Sequence, residues 1–357
     1  MTKKTVLYDR HVSAGAKIVD FAGWLMPVQY AGVLAEHSAV RNKVGIFDVS
    51  HMGEIFITGP DAGRFTDMLM TNDMSHLSDG QVRYTVMCDD EGNVIDDLIV
   101  YRMSPQVFML VVNASNTEKD FNWITTREGR GNASVLDRSG DFGMLAVQGP
   151  NAIKTTAKVI SIPEPFKRNR FFVAEYEGTQ LMVSRTGYTG EDGVEIIAVN
   201  DVIVKLWDAV LEAGRDYGIA PAGLAVRDLL RIESGYSLYG HELDEKTDPL
   251  SAGLSWVVKM EGREFIGKKA LQNLKPTKKR ISFMVEGKSI PRQGCKLLVG
   301  GKEAGVVTSG TFSPALQKPI GIGYISIEEL SALPKGGLRV EIRGKELPAE
   351  IYKPAAK

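Results

Sequence analysis

Two adjacent carboxylates, Asp96 and Asp97, stand at the start of an apolar strand-like stretch, NVIDDLIVY (93–101). Side chains alternate along a strand, so Asp97, Ile99 and Tyr101 share one face and Asp96, Leu98 and Val100 the other. One carboxylate can therefore face water while its neighbour enters a pocket, where a partly buried acid needs a donor and can do acid–base work. The plain alternative is a pair of solvating charges at a strand end. Another carboxylate, Glu195, closes RTGYTGEDGVE (185–195), in which Gly187, Gly190 and Gly193 recur every three residues around Tyr188. That spacing is neither a P-loop nor a dinucleotide fingerprint. It suits an ordinary turn, or close backbone approach to a flat ligand. In PAGLAVRDLLRIESG (221–235), Asp228 can pair with Arg231 one turn on, but Arg227 has no carboxylate at helical spacing. Either Arg227 is exposed at the helix rim, or it meets another segment or a ligand carboxylate or carbonyl. Tyr84, Tyr101, Tyr188, Tyr236 and Trp256 could form a slot for a planar ring, although each singly is more often core.

Other chemistries fit poorly. FDVSHMGE (47–54) holds Asp48, Ser50 and His51, but adjacent Ser50 and His51 point to opposite faces and no GxSxG elbow exists. Structural hydrogen bonding is the expected role of Asp48 and Ser50. The five histidines form no HExxH pair and the two cysteines, Cys88 and Cys295, no CxxC, so no metal site is expected. The net charge of −1 lacks the basic excess of a nucleic-acid binder. Isolated cysteines suit a reducing compartment, the N-terminus has no apolar core of signal-peptide length, and no apolar run spans a membrane. Cytoplasm is expected, or the mitochondrial matrix once a presequence has been removed.

The elements that must position these residues are mixed. VLAEHSAVRNKVG (33–45) and PDAGRFTDMLM (60–70) read as helices, and MGEIFITG (52–59) as a half-buried strand. VRYTVMC (82–88), VIDDLIVYR (94–102) and VFMLVVN (107–113) form a meander, with Gly92 in the first turn, followed by a helix in ASNTEKDFNWITT. A second mixed block covers roughly 140–240, with a helix opened by Pro221. Strands and helices in separate runs predict α+β rather than a doubly wound sheet. The Lys-rich KKALQNLKPTKKR (268–280) looks like a boundary, and the short glycine-separated strands after 281 predict a small all-β barrel.

With these segments in hand, the whole chain resembles the aminomethyltransferase, or T-protein, family of the glycine cleavage system. The likeness is carried by AKIVDFAGWLMPVQY, GIFDVSHMGE, VIDDLIVY, VVNASNTEKD, LAVQGP, RTGYTGEDGVE, PAGLAVRDLLRIESG, LYGHELDE, GLSWVVK, FIGKKAL and VTSGTFSP. DDLIV, TGYTGEDGxE and TSGxxSP together are highly specific. The resemblance implies a three-domain cloverleaf around an opening that holds tetrahydrofolate. The expected division is a folate-binding module over 1–275, built from two intertwined α+β subdomains with 54–140 as one, and a β-barrel over 281–357. It implies transfer of a methylene from an aminomethyl group on the lipoyl arm of H-protein to tetrahydrofolate, releasing ammonia. It assigns Asp97 as the catalytic carboxylate, with Asp96 its outward neighbour. Asn113, Tyr188, Glu195 and Arg227 match folate-lining positions, and Tyr84, Tyr101, Met52 and Trp256 complete the walls. No metal, nucleic acid or membrane is implied. The competing readings are another folate-dependent demethylase or one-carbon transferase on the same scaffold, and a non-catalytic folate-binding protein. The latter's relatives carry a Lys-Gly-Cys-Tyr motif where this chain reads EGREFIGKKA.

Overall fold

The computed structural model describes residues 2–334 and 336–354. The chain folds into two compact units. The first runs to Thr85 and resumes over Leu98–Asp228; the second takes Val86–Asp97 and the chain from Leu229 onward.

In the first unit a six-stranded sheet has the order Phe171–Tyr176, Thr179–Ser184, Gly193–Val199, Phe142–Gln148, Val44–Asp48, Ile219–Pro221. All pairs are antiparallel except the last, which is parallel. The alternation of VEIIAV and MLAVQ sends Val194, Ile196, Leu145 and Val147 to one face. There the helix Asn200–Ala213 covers them with Ile203, Leu206 and Trp207, at the i, i+3, i+4 spacing that makes one apolar stripe. Each such fully buried side chain contributes about 1.5–3 kcal/mol of burial free energy.

The predicted meander is present as Gln81–Cys88, Val94–Ser104 and Val107–Val112, and it extends through Gly53–Thr58 to Ser134–Asp137 in one five-stranded sheet. Its register aligns two cross-strand rows. Glu54, Val111 and Ile99 form one; Phe56, Met109 and Tyr101 form the next. Residues in register share a face, so Glu54 lies on the face that carries Tyr101. Phe56 on that face stacks against Phe142, with ring centroids 5.9 Å apart.

In the second unit, Lys278–Val285, Lys318–Ser326, Lys302–Ser313, Lys296–Val299, Leu338–Ile342 and Lys345–Tyr352 close a barrel in that order. Its centre is filled by Phe283, Leu297, Val307, Ile325 and Val340, alternate residues of their strands. The Lys-rich stretch read as a boundary is ordered structure. Lys268–Asn273 is a helix, and Lys278–Arg280 already belong to the first barrel strand. Arg280 donates to the carbonyls of Gly235 and Ala252 at 2.7 and 2.8 Å. Gly92 turns the Val86–Asp97 hairpin at φ 85°, and a Cβ there would sit 3.1 Å from Leu271, so both backbone and space call for glycine.

The helix bearing Arg227 and Arg231 spans Leu224–Ser234 rather than starting at Pro221, which ends a short strand. Its approach is pinned by two bonds: Ala222 N to Ile46 O and Gly223 N to the buried carboxylate of Glu36, both 2.9 Å. Arg231 donates to Glu242 Oε2 at 2.6 Å and to Ser309 Oγ at 2.8 Å, so its carboxylate partner comes from eleven residues on, beyond the helix. Helical spacing could show Asp228, a neighbour on the same helix, but not Glu242, which a later loop supplies.

Candidate functional site

The strand Gly193–Val199 presents Glu195 directly opposite Ser184 on one side and Ala146 on the other. Glu195 is 4% exposed. Burial pushes its carboxyl up, and the Thr186 hydroxyl and the nearby Arg227 cation pull it partly back, leaving it above its ordinary value. Thr186 Oγ1 donates to Glu195 Oε2 at 2.5 Å. Ser184 Oγ lies 2.7 Å from Thr186 Oγ1, and the hydroxyl of fully buried Tyr101 lies 3.0 Å from Ser184 Oγ.

Arg227 answers the question its spacing raised. It is half-buried, its guanidinium carbon stands 4.8 Å from the centre of the Tyr188 ring, and Glu195 is its nearest stabilising charge. Burial depresses its pKa, and Nη1 is enclosed with no hydrogen-bond partner among the described residues. A buried guanidinium with a spare N–H and a buried carboxylate beside it suit a polar, planar ligand that offers both donors and acceptors.

The loop of three glycines holds its shape for an internal reason. Gly190 has φ 77°. Cβ atoms at Gly187 and Gly193 would lie 2.0 and 2.6 Å from Gln148 side-chain atoms. The glycine spacing therefore makes room for Gln148, whose Nε2 donates to Thr186 O at 3.1 Å and whose Oε1 accepts from Thr189 at 2.9 Å. Ligand approach is not needed to account for it.

FDVSHMGE supplies structure and two further buried groups. Asp48 accepts from Thr5 at 2.6 Å and from the Ser50 amide at 2.9 Å, with His11 Nε2 at 2.8 Å. Burial opposes ionisation of Asp48, yet these bonds and His11 hold it below the usual range. Ser50 Oγ accepts from Met144 N at 2.9 Å, a structural bond as expected. His51 is driven down to about 4 by burial, with Arg227 adding to the effect and Asp48 opposing it, so the ring is neutral at pH 7. Glu54 is 1% exposed, and neither carboxyl oxygen has a partner among the described residues. Burial, reinforced by Asp137, raises its pKa well above 4.5.

Of the residues singled out in the sequence, Tyr101 is joined to Glu195 through Ser184 and Thr186, while Arg227 lies over Tyr188 and near enough to Glu195 to feel its charge. Met52 and Asn113 are half-buried one step beyond the Gly53–Val112 pair of the five-stranded sheet, and half-buried Tyr84 lies on Gln81–Cys88. Asp97 and Trp256 belong to the second unit. Asp97 is half-buried, and Trp256 is 57% exposed on a single 3-10 turn. The pair Asp96–Asp97 corrects one expectation: Asp96 is no outward neighbour but is 0% exposed. Both faces of this central strand are covered, so alternation here separates two kinds of interior rather than interior from water. Ser184, Thr186 and Glu54 were missed. Their only signal is a polar residue at the end of an apolar strand, which ordinarily marks the surface.

An enclosed guanidinium N–H, a buried carboxylate and an aromatic ring thus lie close together on an α+β chain with a C-terminal barrel. Among the described residues no group of three or more His, Cys, Asp or Glu could hold a metal ion, and no helix is long and apolar enough to cross a membrane. The GCVT N-terminal domain model matches residues 7–262, and the glycine cleavage T-protein C-terminal barrel domain model matches 278–356. An aminomethyltransferase of Chlorobium luteolum is 48% identical across 98% of this chain and 97% of its own length. One from Halothermothrix orenii is 44% identical across 98% and 99%. The crystal structure of glycine cleavage system aminomethyltransferase T from Bartonella henselae superposes with a TM-score of 0.91 at 33% identity, covering 100% of this chain and 99% of that one. The chain belongs to the glycine cleavage T-protein family. It is an enzyme of the transferase class.

Proposed function

We propose that this chain takes the methylene of an aminomethyl group carried on the lipoyl arm of H-protein and delivers it to tetrahydrofolate. The carbon's bonds to sulfur and to the amino nitrogen break, and two bonds to folate nitrogens form. The two protons those nitrogens give up leave with ammonia and the dihydrolipoyl thiol, so the reaction needs no oxidant.

The observation that supports this reading is the Glu195–Arg227–Tyr188 cluster. A reduced pterin has an amino group and a ring N–H to give and a ring carbonyl to receive. Glu195 is a buried acceptor, and Arg227 Nη1 is a buried donor with no partner among the described residues. A charge-assisted hydrogen bond is roughly twice as strong as a neutral one, so this pair would orient the ring. Met52, Tyr84, Tyr101, Asn113 and Trp256 are assigned to the same ligand by their match to family positions. Asp97 is assigned the acid–base role: a carboxylate that orients the folate nitrogens, accepts a proton as the new bonds form, and stabilises positive charge developing on the methylene. H-protein would be the partner, and the cytoplasm or mitochondrial matrix the compartment.

The test is ammonia release from aminomethyl-loaded H-protein with and without tetrahydrofolate. Release accelerated by folate and dependent on the lipoyl carrier is expected. Folate binding without use of the carrier would move the chain to another one-carbon transferase, and no binding at millimolar folate would end the folate reading.

A further inference from the structure

Three hydroxyls connect the interior of the first unit to Glu195. The carboxylate can only accept, so Thr186 must give its proton to Oε2 across 2.5 Å. Thr186 Oγ1 is then an acceptor for Ser184, 2.7 Å away, and Ser184 Oγ in turn accepts from Tyr101 at 3.0 Å. Tyr101 and Ser184 are 0% and 1% exposed. With Glu195 ionised, Thr186 turns its proton to the carboxylate, Ser184 donates to Thr186 at 2.7 Å in preference to the Glu195 carbonyl at 3.4 Å, and Tyr101 donates to Ser184. Register helps: Ser184 is the cross-strand partner of Glu195, and Thr186 lies two residues further along, where the chain leaves the sheet. Thr186 is itself held by Gln148, which donates to its carbonyl at 3.1 Å.

We propose that Tyr101, Ser184 and Thr186 form a one-way hydroxyl relay that holds Glu195 as a fixed anionic acceptor, with Thr186 the positioning residue that occupies Oε2 and leaves Oε1 to the ligand. The ligand half of this statement rests on the reading of Glu195 as the folate acceptor; the relay itself rests on the distances. Burial drives Glu195 toward its neutral form, in which one oxygen would carry a proton and compete with the pterin donors. The groups that oppose this are few. Arg227 approaches from the helix Leu224–Ser234 and Thr186 from the loop, while Tyr101 and Ser184 act through Thr186; Tyr188 bears on Arg227 and Glu54 on Tyr101. Among the described residues, Thr186 alone reaches the carboxylate with a hydroxyl bond.

The experiment follows the titration of Glu195 by carbon NMR in ligand-free protein carrying side-chain-labelled glutamate, the signal being assigned by its loss in Glu195→Gln. In Thr186→Val the midpoint is expected to rise by about one pH unit, the tenfold change in ionisation that loss of a hydrogen bond to a charged oxygen produces. Thr186→Ser, which keeps the hydroxyl, restores the original midpoint. Ser184→Ala moves it in the same direction by less. An unmoved midpoint in Thr186→Val, or failure of Thr186→Ser to restore it, overturns the relay. Tetrahydrofolate titrations run beside it are expected to show roughly tenfold weaker binding in Thr186→Val at mildly acidic pH, narrowing as the pH rises and Glu195 ionises. If the midpoint moves but the unaltered protein binds no folate, the relay stands and the folate reading fails.

Discussion

Arg231 and Glu242 form an ion pair of 2.6 Å with side chains 1% and 0% exposed. Every oxygen of that carboxylate is used: Thr308 donates to Oε1 at 2.5 Å and the Leu238 amide to Oε2 at 3.0 Å. Tyr324, on a barrel strand, donates to the Glu242 carbonyl at 2.7 Å. Burial alone would raise the Glu242 pKa, but Arg231 and these donors hold it below its ordinary 4.5. Removing one member of such a pair leaves a bare buried charge, which costs about 3–5 kcal/mol.

Glu242→Gln is therefore expected to lower the thermal midpoint by several degrees at pH 7. The sign with pH follows from the depressed pKa: the pair's contribution is present above pH 4.5 and is lost as the pH falls below it. Calorimetry at pH 7 and pH 4 checks this, and a gap between variant and unaltered protein that does not shrink on acidification speaks against it.

Glu54 gives the opposite sign. Its folded pKa lies well above 4.5, so the folded state holds a proton that the unfolded chain releases as the pH rises. Stability conferred by the protonated form is fully present below pH 4.5 and declines above it. Glu54→Gln, always neutral, should unfold at a higher temperature than the unaltered protein at pH 7 to 8, with the advantage growing with pH. Thermal scans from pH 5 to 8 decide the matter; parallel curves would show that Glu54 carries no such burden.

The adjacent aspartates should fail differently. Asp97→Asn is expected to lose turnover by about 10²- to 10⁴-fold, the range for removal of a general acid–base group, with little change in thermal midpoint, because Asp97 is half-buried. Asp96 is 0% exposed, so Asp96→Asn should show itself first as lower stability. Ammonia release and thermal unfolding measured on both variants separate the two roles. A stable but inactive Asp96→Asn would reverse the assignment.

Glu195→Gln should weaken tetrahydrofolate binding by tenfold or more, as a charged acceptor becomes a neutral amide. Arg227→Met should do likewise and also release the ring of Tyr188, 4.8 Å away, from its cation contact. Fluorescence titration with folate measures both; unchanged dissociation constants in the two variants would place the ligand elsewhere.

What was legible in the sequence was local. Period-two alternation located the meander within a residue or two at most ends, turn glycines such as Gly92 marked its hairpins, and the glycine-separated strands after 281 became a closed barrel. These depend on interactions between residues a few positions apart, which a linear string displays. The motifs also sufficed for the family, because DDLIV, TGYTGEDGxE and TSGxxSP occur together in order.

Tertiary structure alone decided which polar groups are buried and what they face. Arg227 found Tyr188 and Glu195 across more than thirty residues, and Arg231 found Glu242 in a loop beyond its own helix. Glu54 and Ser184 look like surface residues in one dimension, yet the sheet register delivers them to a covered face, and the loop after Ser184 turns Thr186 back onto Glu195. Asp96 looked like the outward half of a pair and is enclosed, since a central strand can be covered on both faces and alternation then no longer distinguishes inside from out. The sequence by itself determined the elements and the family. Burial, and with it the direction in which Glu195 and Glu54 are shifted, was set only when distant segments closed over them, because desolvation depends on the atoms that pack around a group and not on its neighbours in the chain.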